Sequence, residues 1–422
     1  MTNLRASRLF NAELESQDAP TRATYLKARL RASLRHAYDH APRVKAQLDA
    51  AGITPEAIQS VADLMRLPIT RKDALAAIQS AQLPFGGLNA ESVANMARVF
   101  MSPGNIYDPQ GNTSDFWRFA PALAAAGFRV GDIVLNTFSY HMTPAGFMFD
   151  GALRHLGCVV VPTGVGQTEQ QVRIAADLCA TGYVGTPSFL YTLLSKAREL
   201  KTPLGFEVAF VTAEMLPPSL RAELETEFGI RVLQGYGTAD LGMLAYECPQ
   251  KDGLHLHPEC IVEILDLETH QPADPGQPGE VVATIFDPTY PLLRFATGDI
   301  SSWQAPSLCS CGRTTAKLSG ILGRVGDAVK VKGMFIRGSQ MDVVFKRFPD
   351  VAKYQAIITR EQHQDQLNFI VELTGDMPGD ALPEGISEAL REELKVRGEV
   401  NIVAAGSIAP GAKKIDDRRV WK

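Results

Sequence analysis

Between residues 130 and 240 the chain alternates short apolar runs with longer amphipathic ones. The runs "DIVLNTF", "GCVVVPTG", "GYVGTP", "FEVAFVTAE" and "IRVLQGYG" are rich in β-branched residues and close on turn-forming residues. Between them stand "TPAGFMFDGALRHLG", "SFLYTLLSKAREL" and "PPSLRAELETEFG", which carry apolar residues at helical spacing. Strands that alternate with helices fold as a mainly parallel sheet with helices on both faces, because parallel neighbours need a long crossover. In such α/β folds ligands sit at the carboxyl ends of the strands. The loops "TAEML" and "GYGTAD" follow two of these runs and are the first places to seek a site.

The flanks read differently. Residues 1 to about 80 predict helices, with "TYLKARLRASLRHAYDHAPRVKAQLDAAG" as a helical stretch that stops at Gly52, and "SVADLMRLP" as a short helix ended by Pro68. "CIVEILDLETHQPADPGQPGEVVATIF" predicts two antiparallel strands around a Pro/Gly-rich turn, a β subdomain. "GILGRVGDAVKVKG" has the composition of a linker, and the remaining 90 or so residues mix "YQAIITR", "QLNFIVEL" and "VNIVAAG" with one helix, "PEGISEALREELKVRG". The division expected is an N-terminal domain over 1–323 and a C-terminal α+β domain over 324–422, with a hinge at 324–333.

The net charge of −5 argues against nucleic acid or an anionic membrane as the main partner. No apolar run approaches the roughly 20 residues that span a bilayer. The first residues, "MTNLRASRLFNAELESQ", hold no apolar signal core, so a cytoplasmic enzyme is the expectation. Six cysteines are too few for a disulfide framework in a chain of 422 residues. Cys158 and Cys179 lie in apolar surroundings and read as core. Cys309 and Cys311 form a C-x-C pair, and Cys248 and His255 lie about 60 residues before it. Three thiolates and an imidazole are a donor set for closed, tetrahedral zinc, although this spacing is also compatible with plain buried thiols. His257 and Cys260 are reserve ligands, Cys260 reading better as a buried thiol.

Five stretches, in order, resemble the adenylate-forming enzymes, specifically the phenylacetate–CoA ligase branch: "LPITRKD", "TAEMLPPSLR", "GYGTADLGMLAYEC", "YPLLRFATGDIS" and "GRVGDAVKVKGMFI". The resemblance covers nearly the whole chain. It implies a large N-terminal AMP-binding domain of mainly parallel sheets with a β subdomain, and a small mobile α+β C-terminal domain. It also implies a reaction in which a carboxylic acid, aromatic or short, is joined to the α-phosphate of ATP and the acyl group is then passed to CoA. Transfer to an amine or carrier protein, or a degenerate non-catalytic member, are the alternatives. The ligands implied are ATP/AMP, Mg²⁺, CoA and a structural Zn²⁺ at the Cys/His cluster, and a homodimer is the family-based expectation.

By the same resemblance Asp299 binds the ribose hydroxyls and Tyr236, between Gly235 and Gly237, stacks on adenine. Asp240 stands where the family has the glutamate that binds Mg²⁺, with Thr238 and Ala239 before it. Ala213 and Glu214 line the adenine, unless Glu214 caps the next helix. Arg324 reaches ribose or phosphate, Asp327 fits the hinge, and Lys330 to Gly333, including Lys332, line the CoA tunnel. "SYHMTPAG" resembles the acid pocket, with Tyr140 and His141 near the carboxylate, and "GVGQTEQQV" the substrate-side loop. Lys413, ahead of Lys414, is the candidate adenylation lysine.

One stretch departs from the family. Its phosphate loop reads Ser-Ser-Gly-Thr-Thr-Gly-Lys-Pro, and the same positions here are Ser102, Pro103, Gly104, Asn105, Ile106, Tyr107, Asp108 and Pro109. A carboxylate replaces the phosphate-facing ammonium. Asp108 is expected either to point away or to hold a metal, Asn105 and backbone N–H groups to cradle pyrophosphate, and Arg118 to supply the missing cation. An ordinary turn without nucleotide contact is the alternative.

Overall fold

The computed structural model describes residues 5, 7–102, 104–325, 329–332, 334–362, 364–374, 381–409 and 412–419. Its contacts divide the chain into two units. One comprises Met1–Ala213 with Leu224–Leu322, and the other Glu214–Glu223 with Gly323–Lys422. The segment Glu214–Glu223 therefore joins the C-terminal unit, which a division made along the sequence leaves out.

In the first unit the helix Ala19–His40 is capped by Asp18, whose carboxylate accepts from Thr21 N, and buries Leu30, Leu34 and Ala37 along one face. It ends at Ala41, in an extended conformation, because a residue before proline disfavours the helical region, and Pro42 opens the next helix, Pro42–Ala50. The stretch expected as one helical run is thus broken at Pro42. "SVADLMRLP" forms a 3-10 segment, Val61–Arg66, rather than an α-helix. Strand β1 (Thr70–Arg71) follows, and Lys72 leaves it directly into another 3-10 turn.

Next come two strands, β2 (Arg98–Ser102) and β3 (Ile106–Gln110), paired antiparallel with Ser102 opposite Ile106. The expected phosphate loop is thus largely the body of a β-hairpin. Gly104 and Asn105 stand at its tip with φ of 93° and 57°.

Then the alternation begins: β4 (Ile133–Asn136), β5 (Val159–Pro162), β6 (Gly182–Gly185), β7 (Val208–Val211) and β8 (Arg231–Thr238), joined through helices Ala145–His155, Thr168–Asp177, Pro187–Glu199 and Pro218–Thr226. These strands pair in parallel in the order β5-β4-β6-β7-β8. Strands β9 (Gly242–Tyr246), β10 (Leu254–Leu256) and β14 (Lys317–Leu318) continue the same sheet antiparallel. Val134, Val184, Val208, Phe210 and Leu233 meet Phe149 and Leu153 in one buried cluster. Most of "GVGQTEQQV" proves to be helix: Thr168 begins one and Val172 is buried in it. Cys179 corrects the expectation of a core thiol, since it sits exposed at φ 49° in the turn after that helix.

A second sheet sets β11 (Cys260–Leu265), β12 (Gly279–Ile285) and β13 (Phe295–Ser301) antiparallel, with β1 added in parallel on β13. In the C-terminal unit the strands run Glu399–Val403, Gln364–Leu373, Val351–Glu361 and Ile415–Asp417 across a four-stranded sheet. Helix Ala381–Leu394 was expected; helix Gly338–Phe345 was not. Ile358, Phe369, Val371, Met341 and Leu390 form its core. Among the described residues no helix is long and apolar enough to cross a membrane.

Candidate active site

Strands β8 and β13 bring Tyr236 and Asp299 together. The Tyr236 hydroxyl donates to Asp299 Oδ2 at 2.9 Å and lies 3.1 Å from Thr297 Oγ1. The Thr297 hydroxyl donates to Val281 O, and Asp299 N donates to Thr297 Oγ1. A buried carboxylate is thereby oriented by a phenol and by its own strand, which sequence spacing alone does not show. Gly235 is needed for packing: a Cβ there would stand 2.6 Å from the Phe210 ring. Thr212 Oγ1 donates to Gly235 O at 2.7 Å, tying the end of β7 to β8, and Ala213 follows it in the left-handed region at φ 72°.

Asp240 lies in the tight turn between β8 and β9, where Leu241 N donates to Thr238 Oγ1. Its carboxylate, 1% exposed, is ion-paired with the Lys72 ammonium. Lys72 was not singled out from the sequence, although "LPITRKD" contains it. The missing lysine of the phosphate loop was the signal that could have prompted a search for another cation, but nothing local says which one.

Asp108 turns inward from β3. It is 2% exposed, its Oδ2 accepts from the Ser102 hydroxyl, and its Oδ1 is buried without a hydrogen-bond partner. Burial, then the nearby Asp240 charge, pushes its carboxyl up to about 7, with the Ser102 hydrogen bond and Lys72 opposing. Arg118 corrects another expectation. Its guanidinium donates to the carbonyls of Leu241 and Phe116, so it is engaged with the backbone. The cation beside the two carboxylates is Lys72.

At the end of β4, Asn136 Nδ2 donates to the Tyr140 hydroxyl at 2.7 Å and to Gly146 O at 2.9 Å. His141 is exposed in the following turn, where its N–H donates to Ser139 Oγ.

Cys248, His255, Cys309 and Cys311 converge, with their four ligand atoms all within 4.8 Å of one another. Cys248 Sγ lies 3.6 Å from Cys309 Sγ, and Cys311 Sγ lies 3.5 Å from His255 Nε2. A tetrahedron with Zn–S of about 2.3 Å and Zn–N of about 2.05 Å has S···S edges of about 3.8 Å and S···N edges of about 3.6 Å. Carbonyl Thr315 O, 3.3 Å from His255 Nδ1, orients the ring so that Nε2 faces the thiols. Arg313 buttresses the loop from below: its N–H donates to Cys311 Sγ at 3.4 Å and its guanidinium pairs with Glu15 at 2.8 Å, both side chains 1% exposed. His257 and Cys260 stay outside the cluster; His257 Nδ1 accepts from Glu259 N, and Cys260 Sγ donates to nearby carbonyls.

The remaining candidates lie in the C-terminal unit. Glu214 is near enough to Arg360 to interact with its charge. Arg324 is half-buried, Lys332 N donates to Asp365 Oδ2 at 3.3 Å, and Lys413 is exposed, with its carbonyl accepting from Gln355 Nε2. Lys414 pairs with Asp342 at 2.5 Å. Asp327 and Gly333 lie outside the described residues.

Residues 110–284 match the AMP-binding enzyme family, and residues 333–420 its C-terminal domain. A phenylacetate-coenzyme A ligase of Aromatoleum evansii is 30% identical over 91% of this chain and 88% of its own. The chain belongs to the phenylacetate-coenzyme A ligase family. Another member, from Thermus thermophilus, is 28% identical over 95% of each chain. The fold matches the crystal structure of a 2-hydroxyisobutyryl-CoA ligase in complex with 2-HIB-AMP and CoA, with TM-score 0.88, 24% identity, and 96% of this chain and 91% of that one covered. The adenylate-forming fold expected from the motifs is thus the fold of this ligase-family member.

Proposed function

We propose that this chain activates a small carboxylic acid, aromatic or short, with ATP and transfers the acyl group to CoA. The observation that carries the reading is the set Tyr236, Asp299, Asp240 and Lys72, assembled on one unit of a ligase-family fold from segments far apart in sequence. A carboxylate oxygen attacks the α-phosphorus, its bond to the β-phosphate bridging oxygen breaks, and pyrophosphate leaves. CoA sulfur then attacks the acyl carbon, AMP leaves, and the thiol proton is released.

In this reading Asp299 accepts hydrogen bonds from the ribose hydroxyls, held in place by Tyr236. Lys72 takes the phosphate-facing role that Asp108 cannot fill. Asp240, with the unpartnered Oδ1 of Asp108 beside it, fits Mg²⁺, which would neutralise phosphate charge. Asn136 and Tyr140 hold the acid-side turn on which His141 sits. Lys414 is committed to Asp342, which favours Lys413 as the adenylation lysine. Arg324, Lys332 and Gly333 keep the nucleotide and CoA roles the family suggests.

The decisive product test uses ATP, Mg²⁺, CoA and a panel of aromatic and short acids, followed by mass spectrometry. An acyl-CoA formed in step with AMP is the expected result. Release of pyrophosphate without thioester, rescued by an amine or carrier, would replace CoA as the acceptor.

Zinc at Cys248, His255, Cys309 and Cys311 is proposed as structural, since four protein donors leave no open position. It would cross-link the segment just after β9 and the middle of β10 to the Cys309–Thr315 loop. Elemental analysis should find about one zinc per chain, and Cys311→Ser should lower both zinc content and melting temperature. Metal-free protein with titratable thiols at Cys248, Cys309 and Cys311 and unchanged melting would contradict this.

A further inference from the structure

Asp240 carries the proposed magnesium role, yet it stands on a turn, where side-chain direction is least fixed by regular structure. The turn's backbone is held from outside. Trp117 Nε1 donates to Ala239 O at 3.1 Å, the carbonyl before Asp240. The Arg118 guanidinium donates to Leu241 O, one peptide beyond Asp240. Trp117 O accepts from Met243 N at 2.9 Å. Gly242, at φ 70°, lies so close that a Cβ would stand 2.5 Å from Trp117 O. Trp117 thus fixes the peptide plane that enters Asp240, Leu241 N on Thr238 Oγ1 fixes the plane that leaves it, and Arg118 fixes the next plane, so the turn that aims the Asp240 Cα–Cβ bond is held along its length.

The donors are themselves built in. Trp117 is 4% exposed, edge-on to Phe116 at 5.0 Å and packed on Phe100 at 5.9 Å. Arg118 adopts φ 62°, a conformation rare for a residue with a side chain. It is held there by its N–H on Asp115 O at 2.9 Å, while the Asp115 carboxylate accepts from Phe119 N and Ala120 N at 2.9 and 2.8 Å.

We infer that Trp117 and Arg118 are positioning residues for Asp240, clamping the turn at the carbonyls of Ala239 and Leu241 so that its carboxylate is aimed at the nucleotide's metal-bound phosphates. The inference rests on the adenylation reading above. The altered phosphate loop gives the clamp its importance: with Asp108 in place of a lysine, Asp240 and Lys72 carry the phosphate end, and a displacement of about 1 Å there costs on the order of a hundredfold in rate.

The test takes the full chain as Trp117→Phe, which keeps the ring packing and loses one donor, and as Arg118→Ala and Arg118→Lys. Acid-dependent ATP–pyrophosphate exchange should fall about 10-fold in Trp117→Phe and about 100-fold in Arg118→Ala, with Arg118→Lys recovering part. Thioester formation from preformed phenylacetyl-adenylate and CoA should stay within about twofold. Calorimetry of Mg-ATP binding reads the clamp without any acid and should show weaker binding and a higher magnesium requirement in both variants. Exchange and Mg-ATP binding equal to wild type, or equal losses in both half-reactions, would overturn the inference. A wild type silent in exchange whose Mg-ATP binding still weakens in the variants supports the clamp and fails only the ligase reading. A wild type that does not bind Mg-ATP overturns both.

Discussion

Lys72→Ala should reduce acid-dependent ATP–pyrophosphate exchange by about two orders of magnitude or more, with Lys72→Arg retaining a measurable part. Lys72 is the cation paired with Asp240, and removing it leaves Asp240 and Asp108 facing a triphosphate uncompensated. A unit charge pair about 5 Å apart at an effective dielectric near 20 is worth roughly 3 kcal/mol, which is about a hundredfold. The same change leaves a carboxylate buried without its partner, and such losses cost roughly 3 kcal/mol or more of stability. Melting temperature must therefore be measured beside exchange. A Lys72→Ala protein that melts lower but keeps its KM for ATP would confine Lys72 to a structural role.

Asp108→Asn should stabilise the protein at alkaline pH and leave it little changed in acid. The folded-state carboxyl titrates near 7, above its ordinary 3.8. The folded chain therefore holds a proton that the unfolded chain gives up between those values. Stability from this group is complete below the lower value, declines as pH rises between the two, and is absent above the higher. Asparagine cannot ionise, so the variant escapes the decline, a gain of roughly 4 kcal/mol at most, reduced by whatever its amide leaves unsatisfied. Urea unfolding in magnesium-free buffer at about pH 5 and about pH 8.5 reads the difference. Equal stability differences at both values would mean that Asp108 is ionised throughout.

The strands were legible where burial on both faces makes a run continuously apolar, as in "VAFV" of β7. Their ends also marked the site, because Tyr236 and Asp240 follow from a strand's carboxyl end and a family motif. The break at Pro42 was readable in principle, since a proline after Ala41 forbids a smooth helix, but strong apolar periodicity on both sides masked it. The β2–β3 hairpin was masked differently. Buried Asp108 and Gln110 stand where a one-sided strand would carry apolar residues, so the stretch reads as a loop. Lys72 and Asp240 lie 168 residues apart, and no local pattern pairs them. Arg118 looked like a free cation because one of its carbonyl partners, Leu241 O, belongs to backbone that only the fold brings near. The Cys/His set was readable as chemistry, yet its convergence depends on β10 pairing with both β9 and β14.

The central claim is that this chain adenylates a carboxylic acid through Asp299 and its neighbours despite the altered phosphate loop. ATP–pyrophosphate exchange across an acid panel, run on wild type beside Asp299→Ala, tests it most directly. At least one acid should drive exchange in wild type, and Asp299→Ala should lower that rate about 100-fold or more while the protein stays folded. Wild-type protein that binds ATP but exchanges pyrophosphate with no acid, or an Asp299→Ala variant that exchanges as well as wild type, would contradict it.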